Sequence, residues 1–456
     1  MRDGDSELDA SLARGSDGWR VSLAGQLHGE ALGRIVVGPF PESWSLRGDV
    51  QGRWPAGQQW QAGTAPGWVD AEQVKVPEWP GLAPRGGTVV RARLRAAERT
   101  VEVEELVVRL PEHPVSVSGR VTAGARRLKV ALDITAAELD VTPWLPEVGK
   151  YASSATSPDS RQDPGPVGGS QGDSTGPELG GTVRLRCERF RARDWQWTPL
   201  YADLHLDGDT TTVEVPWAEL CGIRTPAFLV RRGEALQVSV RPSARGQSLQ
   251  PTLACLGRED ILATGRFDLD SEFQAEGPAA ELLANTSGSF RFRAVDGRIQ
   301  RYDLLAKVFA VLNVTEVFRG RLPDVVGEGF GYDSLDSVGT VARGVVRMAE
   351  GVLDARSMKL LWRGEVDLPA ETLDLTLVLA PLKTVDTIVS WIPVVNYLLD
   401  DTLIAVPVAL TGPLNDPRVV PLSPSAVGEG VLGFVKRTLN LPFHIVDLLK
   451  PKDAKP

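Results

Sequence analysis

The chain has 456 residues, 42% of them hydrophobic and 24% charged, the proportions of a folded protein rather than a disordered one. That length allows two to four domains or one long elongated one. Acidic residues outnumber basic ones, 59 to 50, for a net charge of −9, which argues against non-specific nucleic-acid binding because that needs Lys and Arg to displace phosphate counterions.

The opening, MRDGDSELDASLARGSDGW, has no apolar core after its charges and so does not read as a signal peptide. No window approaches the ~20 consecutive apolar residues of a membrane-spanning helix. An opening this polar, running straight into strand-like sequence, also fits a fragment of something longer.

From Trp19 to Pro146 short runs alternate apolar and polar, as in TVEVEELVVRL (Thr100–Leu110) and RLKVALDIT (Arg127–Thr135). A period near two predicts strands with one buried and one wet face, and residues 1–147 are read as the first β segment. Composition then collapses into Ser, Gly, Pro, Asp and Gln, so residues 148–181 read as a flexible linker or disordered loop. Strands resume at TVRLRCERFRA and fill a second β segment, 182–424, with two helical insertions. In the first, near 302–320, Leu304, Leu305, Val308, Val311 and Leu312 fall on one helical face. In the second, near 384–399, Val385, Ile388, Val389, Ile392, Val395 and Leu399 do so, with Asp386 suited to the helix start and Pro393 set to kink it. Residues 425–456 read as an amphipathic helical end. Glycine followed by an alternating run recurs along the chain (GRVTAG, GTVRLR, GRFDLD, GSFRFR, GVVRMAEG, GEVDL), a pattern expected of antiparallel strands joined by glycine-marked turns.

Motifs that carry catalysis fail on context. GGSQG (Gly168–Gly172) matches a nucleophile elbow but lies in the linker, where no buried strand turns into a helix, so Ser170 is no nucleophile. GEGVLG (Gly428–Gly433) matches a dinucleotide fingerprint without the βαβ unit the fingerprint needs. His28, His113, His205 and His444 are scattered, and carboxylate pairs such as Asp268/Asp270 and Asp400/Asp401 sit where alternation puts solvated residues. No catalytic residue, metal or cofactor is expected. Three cysteines, Cys187, Cys221 and Cys255, are too few for a disulfide scaffold; they read either as buried free thiols or with a Cys221–Cys255 bridge, which requires an oxidising compartment. Trp44, Trp54, Trp60, Trp68 and Trp79 read as anchors of a thin β core, or as sugar-stacking rings.

Apolar surface is then the functional clue. Leu373, Leu375, Leu377 and Leu379 line one strand face, Phe290 and Phe292 another, Val366 and Leu368 a third. A sheet with one apolar face must cover it with helices, a second sheet or itself. A sheet curled into a trough would spare an acyl chain its exposure to water, on the order of 13 kcal/mol for ~16 carbons. About 20 strands at ~4.8 Å would make it on the order of 95 Å long.

From about Leu253 to Phe443 the sequence resembles the C-terminal region of the AsmA-like family, which includes TamB- and YhdP-type proteins of Gram-negative envelopes. The residues that carry this are GSFRFRAVDGRIQRYDLLAKVFAVLNVTEVF, GEVDLPAETLDLTLVLAPLKTVDTIVSWIPVVNYLL and VALTGPLNDPRVVPLSPSAVGEGVLGFVKRTLNLP, with ELCGIRTP and LDVTPWLP earlier. The resemblance implies a mainly β fold, an elongated antiparallel sheet curled into an apolar groove with a few amphipathic helices near its C-terminal end. It also implies non-enzymatic phospholipid transfer between inner and outer membranes, in the periplasm and associated with the inner membrane, although the family's N-terminal anchor is not in this sequence. Envelope proteins are further expected partners. In that setting Phe290, Phe292, Val366, Leu368, Leu373, Leu375, Leu377 and Leu379 are expected to line the groove. Ile388, Trp391, Ile392, Val395, Leu398, Phe434 and Leu439 are expected at its end or against a membrane, with Lys436, Arg437, Lys450 and Lys452 near anionic headgroups. Two other readings stand beside it: an assembly factor of closed β-sandwiches for outer-membrane components, and a carbohydrate-binding β protein using the N-terminal tryptophans.

Overall fold

Alternation with period two becomes long strands almost everywhere. The computed structural model describes residues 2–3, 6–28, 45–55, 64–75, 88–110, 113–124, 127–145, 178–301, 307–308, 329–355, 358–381, 398–399, 403–404 and 406–422. The chain divides into two compact units, Met1–Leu220 with Thr225–Val238, and Cys221–Arg224 with Ser239–Pro456.

Unit 1 begins with β1 (Arg2–Asp3), β2 (Ser6–Gly15), β3 (Gly18–His28), β4 (Ser45–Pro55) and β5 (Gly67–Lys75). It continues through β6 (Thr88–Ala97), β7 (Thr100–Leu110), β8 (His113–Ala123) and β9 (Arg127–Asp140). Each of these strands pairs antiparallel with the next. After the linker come β10 (Glu178–Ala192), β11 (Trp195–Asp207) and β12 (Thr210–Leu220). The two-residue β13 (Ile223–Arg224) belongs to unit 2, and β14 (Ala227–Arg232) returns to pair with β12.

The linker has a topological role that its composition did not reveal. Strands β9 and β10 on either side of it pair with each other in parallel, Val130 opposite Gly181 and Ala136 opposite Cys187. A parallel pair needs a long crossover, since a two-residue turn can join only antiparallel strands, and residues 141–177 supply it. The strand also starts at Glu178, four residues inside the stretch read as linker. Arg184–Asp133 (2.7 Å) and Arg189–Glu138 (2.9 Å) tie this pair on its wet face.

In unit 2, β15 (Ala235–Val240), which begins in unit 1, leads to β16 (Ser243–Ser248), α1 (Leu249–Cys255) and β17 (Leu262–Ala263). The meander then runs β18 (Arg266–Pro278), β19 (Ser287–Arg301), β20 (Phe330–Ala342), β21 (Val345–Asp354), β22 (Met358–Asp367) and β23 (Thr372–Pro381). Next come β24 (Leu398–Leu399), β25 (Leu403–Ile404), β26 (Val406–Pro413) and β27 (Arg418–Pro421). From β18 to β23 every strand pairs with its successor; β23 pairs with β26, and β26 with β27. Over the described residues the fold is therefore mainly β, and the strand pairs named here are antiparallel apart from β9 with β10, as the alternation predicts.

The recurring glycines are a correction. Of the glycines that head these runs, Gly344 sits in a turn and Gly265 in the bend before β18. Gly119, Gly181, Gly288 and Gly364 lie inside strands β8, β10, β19 and β22, with φ of 133°, 121°, 157° and 142°. A Cβ at each would fall on a carbonyl oxygen of the neighbouring strand: Ala131, Val130, Glu272 and Asp374 respectively. They are kinks that bend the strands, the usual device for curving a sheet, and all four belong to its apolar face. Bulges in β7, β12 and β21 add to the bending.

Of the two expected helical insertions, Lys307 and Val308 are helical in the first. In the second, Leu398–Leu399 is extended and pairs with Leu403–Ile404, so the helix read for 384–399 does not reach its last two residues. The rest of both, and all of 425–456, lies outside the described residues.

The cysteines settle between the two readings. Cys221 and Cys255 form a disulfide within unit 2, and Cys187 is a buried free thiol in unit 1, where burial pushes its pKa up.

Candidate functional site

Each unit presents one apolar and one charged face, and register decides which residues share them. In unit 2 one row crosses the sheet as Leu269, Phe292, Ser337, Gly351, Trp362, Leu377 and Val408, each directly opposite the next. The neighbouring rows run Phe290, Gly339, Met348, Gly364, Leu375, Leu410, and Phe267, Ala294, Leu335, Leu353, Leu360, Leu379. Phe290, Phe292, Val366, Leu373, Leu375, Leu377 and Leu379 thus come together on one face, and Leu368 packs against the same cluster from the turn after β22.

Large rings lie over small residues. The Trp362 indole covers Gly351, where any Cβ would collide with it, and the Phe290 ring stands 2.7 Å from where a Cβ of Gly339 would be. Phe267 and Phe292 stack with centroids 5.6 Å apart. The opposite face carries cross-strand ion pairs, Arg347–Glu365 (2.8 Å), Arg293–Asp336 (3.4 Å) and Arg245–Asp270 (2.6 Å) among them. Asp268 and Asp270 accordingly serve Arg245 and the Gly246 N–H rather than forming an acid–base couple.

Burial is graded along this face. Phe290 and Phe292 are half-buried, whereas Leu377, Val408 and Leu410 are buried, with 7%, 0% and 1% exposure. Val408, Leu410, Trp362 and Leu353 share this face without being among the residues singled out from the sequence, although the same alternation marks them.

Unit 1 repeats the pattern with a more open face. Val103, Gly119, Leu132 and Val183 stand in one row across β7 to β10. Leu12 and Leu23, on the apolar side of β2 and β3, remain 67% and 42% exposed. The other face pairs Arg95 with Glu104, Arg47 with Asp70, and Arg91 with Glu72 and Glu105. Tryptophans are divided: Trp68, on the charged side of β5, is exposed, while Trp197 meets Phe190 edge-on in the unit 1 core.

Near the start of β18 the Tyr332 hydroxyl donates to the Thr264 carbonyl at 2.7 Å. Burial pushes its pKa from 10.0 up to about 12, so folding favours the neutral phenol, and stability it contributes below pH 10 is lost as the pH rises towards 12. Tyr332→Phe is expected to cost about 1–2 kcal/mol in urea denaturation at pH 7 and to remove that alkaline component. Identical alkaline profiles for the two proteins would show the phenol contributes none of it.

Ile388, Trp391, Ile392, Val395, Phe434, Leu439, Lys436, Arg437 and Lys450 lie outside the described residues, and of Leu398 only the backbone is described. Among the described residues no helix is long and apolar enough to cross a membrane, and no His, Cys, Asp or Glu cluster has metal-binding geometry.

Comparison with known proteins adds one finding. Residues 223–419 match the family model described as YhdP protein, a span that opens at β13 and ends within β27. No curated protein and no solved structure matches the chain. Over residues 223–419 the chain is thus similar to the YhdP protein family, the AsmA-like kinship that the sequence motifs point to.

Proposed function

We propose that the chain is a non-enzymatic lipid conduit: acyl chains lie along the apolar face of its sheet on their way between the membranes of a Gram-negative envelope. The observation that carries this reading is the row-by-row continuity of apolar side chains from strand to strand within each unit, with charge carried mainly by the other face. Such a face lowers the cost of moving an acyl chain through water, ~0.8 kcal/mol per CH₂, without any reacting group. Similarity to the YhdP family supports it, as does the Cys221–Cys255 bridge, which suits the oxidising periplasm. Phospholipid headgroups are expected to stay outside, since the apolar rows offer them no partners.

The closed-sandwich reading has less support. A sandwich needs a second sheet facing the first, whereas successive strands in both units pair edge to edge in meander order, and Leu12 and Leu23 are left exposed.

Leu23 gives the direct test because its exposure lets it change without unfolding unit 1. Leu23→Asp is expected to shift the thermal midpoint by no more than a few degrees and to reduce co-purifying phospholipid, counted by native mass spectrometry, by half or more. Wild-type protein that carries no lipid in that measurement, and a Leu23→Asp variant that supports growth normally in an envelope-stress assay, would together refute the conduit.

A further inference from the structure

Two described residues of the connection after β19 sit where strand order alone would not put them. Lys307 donates from Nζ to Asp416 Oδ1 at 2.6 Å and to the Pro417 carbonyl at 2.9 Å, both in the turn between β26 and β27. Val308 is 1% exposed and belongs to the apolar cluster formed by Phe267, Trp362, Leu377 and Leu410.

Arg301, where this connection starts, and the turn that Lys307 reaches lie on opposite rims of the sheet. The turns after β18, β20, β22 and β26 share one rim and are laced together: Gly344 N–H donates to Thr286 O at 3.0 Å, and Leu414 N–H to Glu371 O at 2.9 Å. Arg301, where β19 ends, is at the other rim, near the connection between β21 and β22. Five strand spacings and a ten-residue strand would hold Arg301 and Asp416 ~40 Å apart on a flat sheet. The six residues from Arg301 to Lys307 span ~21 Å at most, so even with the lysine side chain added the two rims must approach each other. Twist and the kinks at Gly288 and Gly364 provide that curl. Lys307 and Val308 therefore lie over the apolar face of unit 2, with Val308 pressed into it.

We propose that Lys307 and Val308 form a latch over the groove of unit 2: Val308 plugs the apolar face, the Lys307–Asp416 pair holds it there, and release of that pair opens the covered stretch to an acyl chain. The latch rests on the conduit reading for its ligand, though not for its mechanics. Both partners are solvent-exposed, the lysine side chain at 43% and the aspartate at 82%, so the pair is weak and screened by salt. Breaking such an exposed pair costs little, so it opens and recloses readily. Lys307 also keeps the Asp416 carboxyl below its ordinary pKa range, so the pair is charged throughout the neutral range.

The test separates mechanics from ligand. In a Cys187→Ala background, Leu377→Cys reports access to the covered face through its rate of maleimide labelling. Asp416→Asn is expected to raise that rate about twofold to fivefold at low salt, the shift that loss of one exposed pair supports. The charge swap Lys307→Asp with Asp416→Lys restores protection, and added salt speeds labelling of the wild-type pair but not of Asp416→Asn. Equal rates with and without the pair overturn the latch. Vesicles of phosphatidylethanolamine and phosphatidylglycerol, with a photo-crosslinking residue in place of Ile134 or Leu377, then address the ligand. Lipid is expected at residue 134 in every variant, and at residue 377 chiefly when the pair is broken. Equal capture at residue 377 in all variants overturns the latch. No capture at either site, with labelling still responsive, overturns the conduit reading instead.

Discussion

Gly364→Ala is expected to destabilise unit 2 by about 3–5 kcal/mol, more than most single substitutions. Two costs combine. The φ of 142° belongs to a region that only glycine adopts freely, and the added Cβ would press on the Asp374 carbonyl and stand 2.8 Å from the Leu375 Cα. Either β22 straightens or β23 moves away, and both remove curvature where Leu375 and Leu410 pack. Gly257→Ala is the internal control. Gly257 also has positive φ, 72°, but no atom lies within 4 Å of the new Cβ, so that change should cost about 1–2 kcal/mol, the backbone term alone. Urea denaturation of both variants checks the difference; equal losses would mean that the close approach of the two strands carries no weight. On the proposed conduit reading, the same loss of curl should also lower acyl-chain capture by Gly364→Ala at conditions where it remains folded.

The same glycine shows what the sequence made legible. Its place, at the head of an alternating run, was readable in GEVDL and in five similar runs. Its role was not, because a glycine in a turn and a glycine at a strand kink answer the same need, the absence of a Cβ, and differ only in what stands opposite. Pairing partners are fixed by register across the sheet, which no local pattern records. That is also why the linker could be recognised by composition while its function as the crossover between β9 and β10 could not.

For the candidate site, alternation sufficed to group Leu373, Leu375, Leu377 and Leu379 with Phe290 and Phe292, since side-chain direction in a strand follows residue parity. It could not tell that Leu377 is buried while Leu23 is open, because cover comes from elsewhere in the chain. The clearest case is Lys307, whose partner Asp416 is 109 positions away. A helical periodicity correctly set Val308 on an apolar face, yet nothing in YDLLAKVF names the turn that its neighbour would reach.

Breaking the Cys221–Cys255 bridge is expected to cost unit 2 about 3–4 kcal/mol, from the loop closure entropy of a segment of roughly 35 residues. The bridge joins the turn after β12 to the last residue of α1, and a second tie lies beside it, the Thr252 hydroxyl donating to the Cys221 carbonyl at 3.0 Å. Helix α1 has only seven residues and lacks a side-chain cap, too short to persist by its own hydrogen bonds, so the crosslink supplies much of what fixes it against β16. A Cys221→Ser/Cys255→Ser double variant should therefore unfold at lower urea and lose the protection of α1 in hydrogen exchange, while the strands of unit 1 exchange as before. Thiol counting checks the premise separately. The denatured, unreduced protein should show one reactive thiol, Cys187, and three after reduction; three without reduction would remove the bridge. That count also bears on where the protein works, because a chain folded in a reducing cytosol would not keep such a bridge. One thiol and a stability that falls on reduction would place folding in an oxidising compartment, as a conduit between two membranes requires.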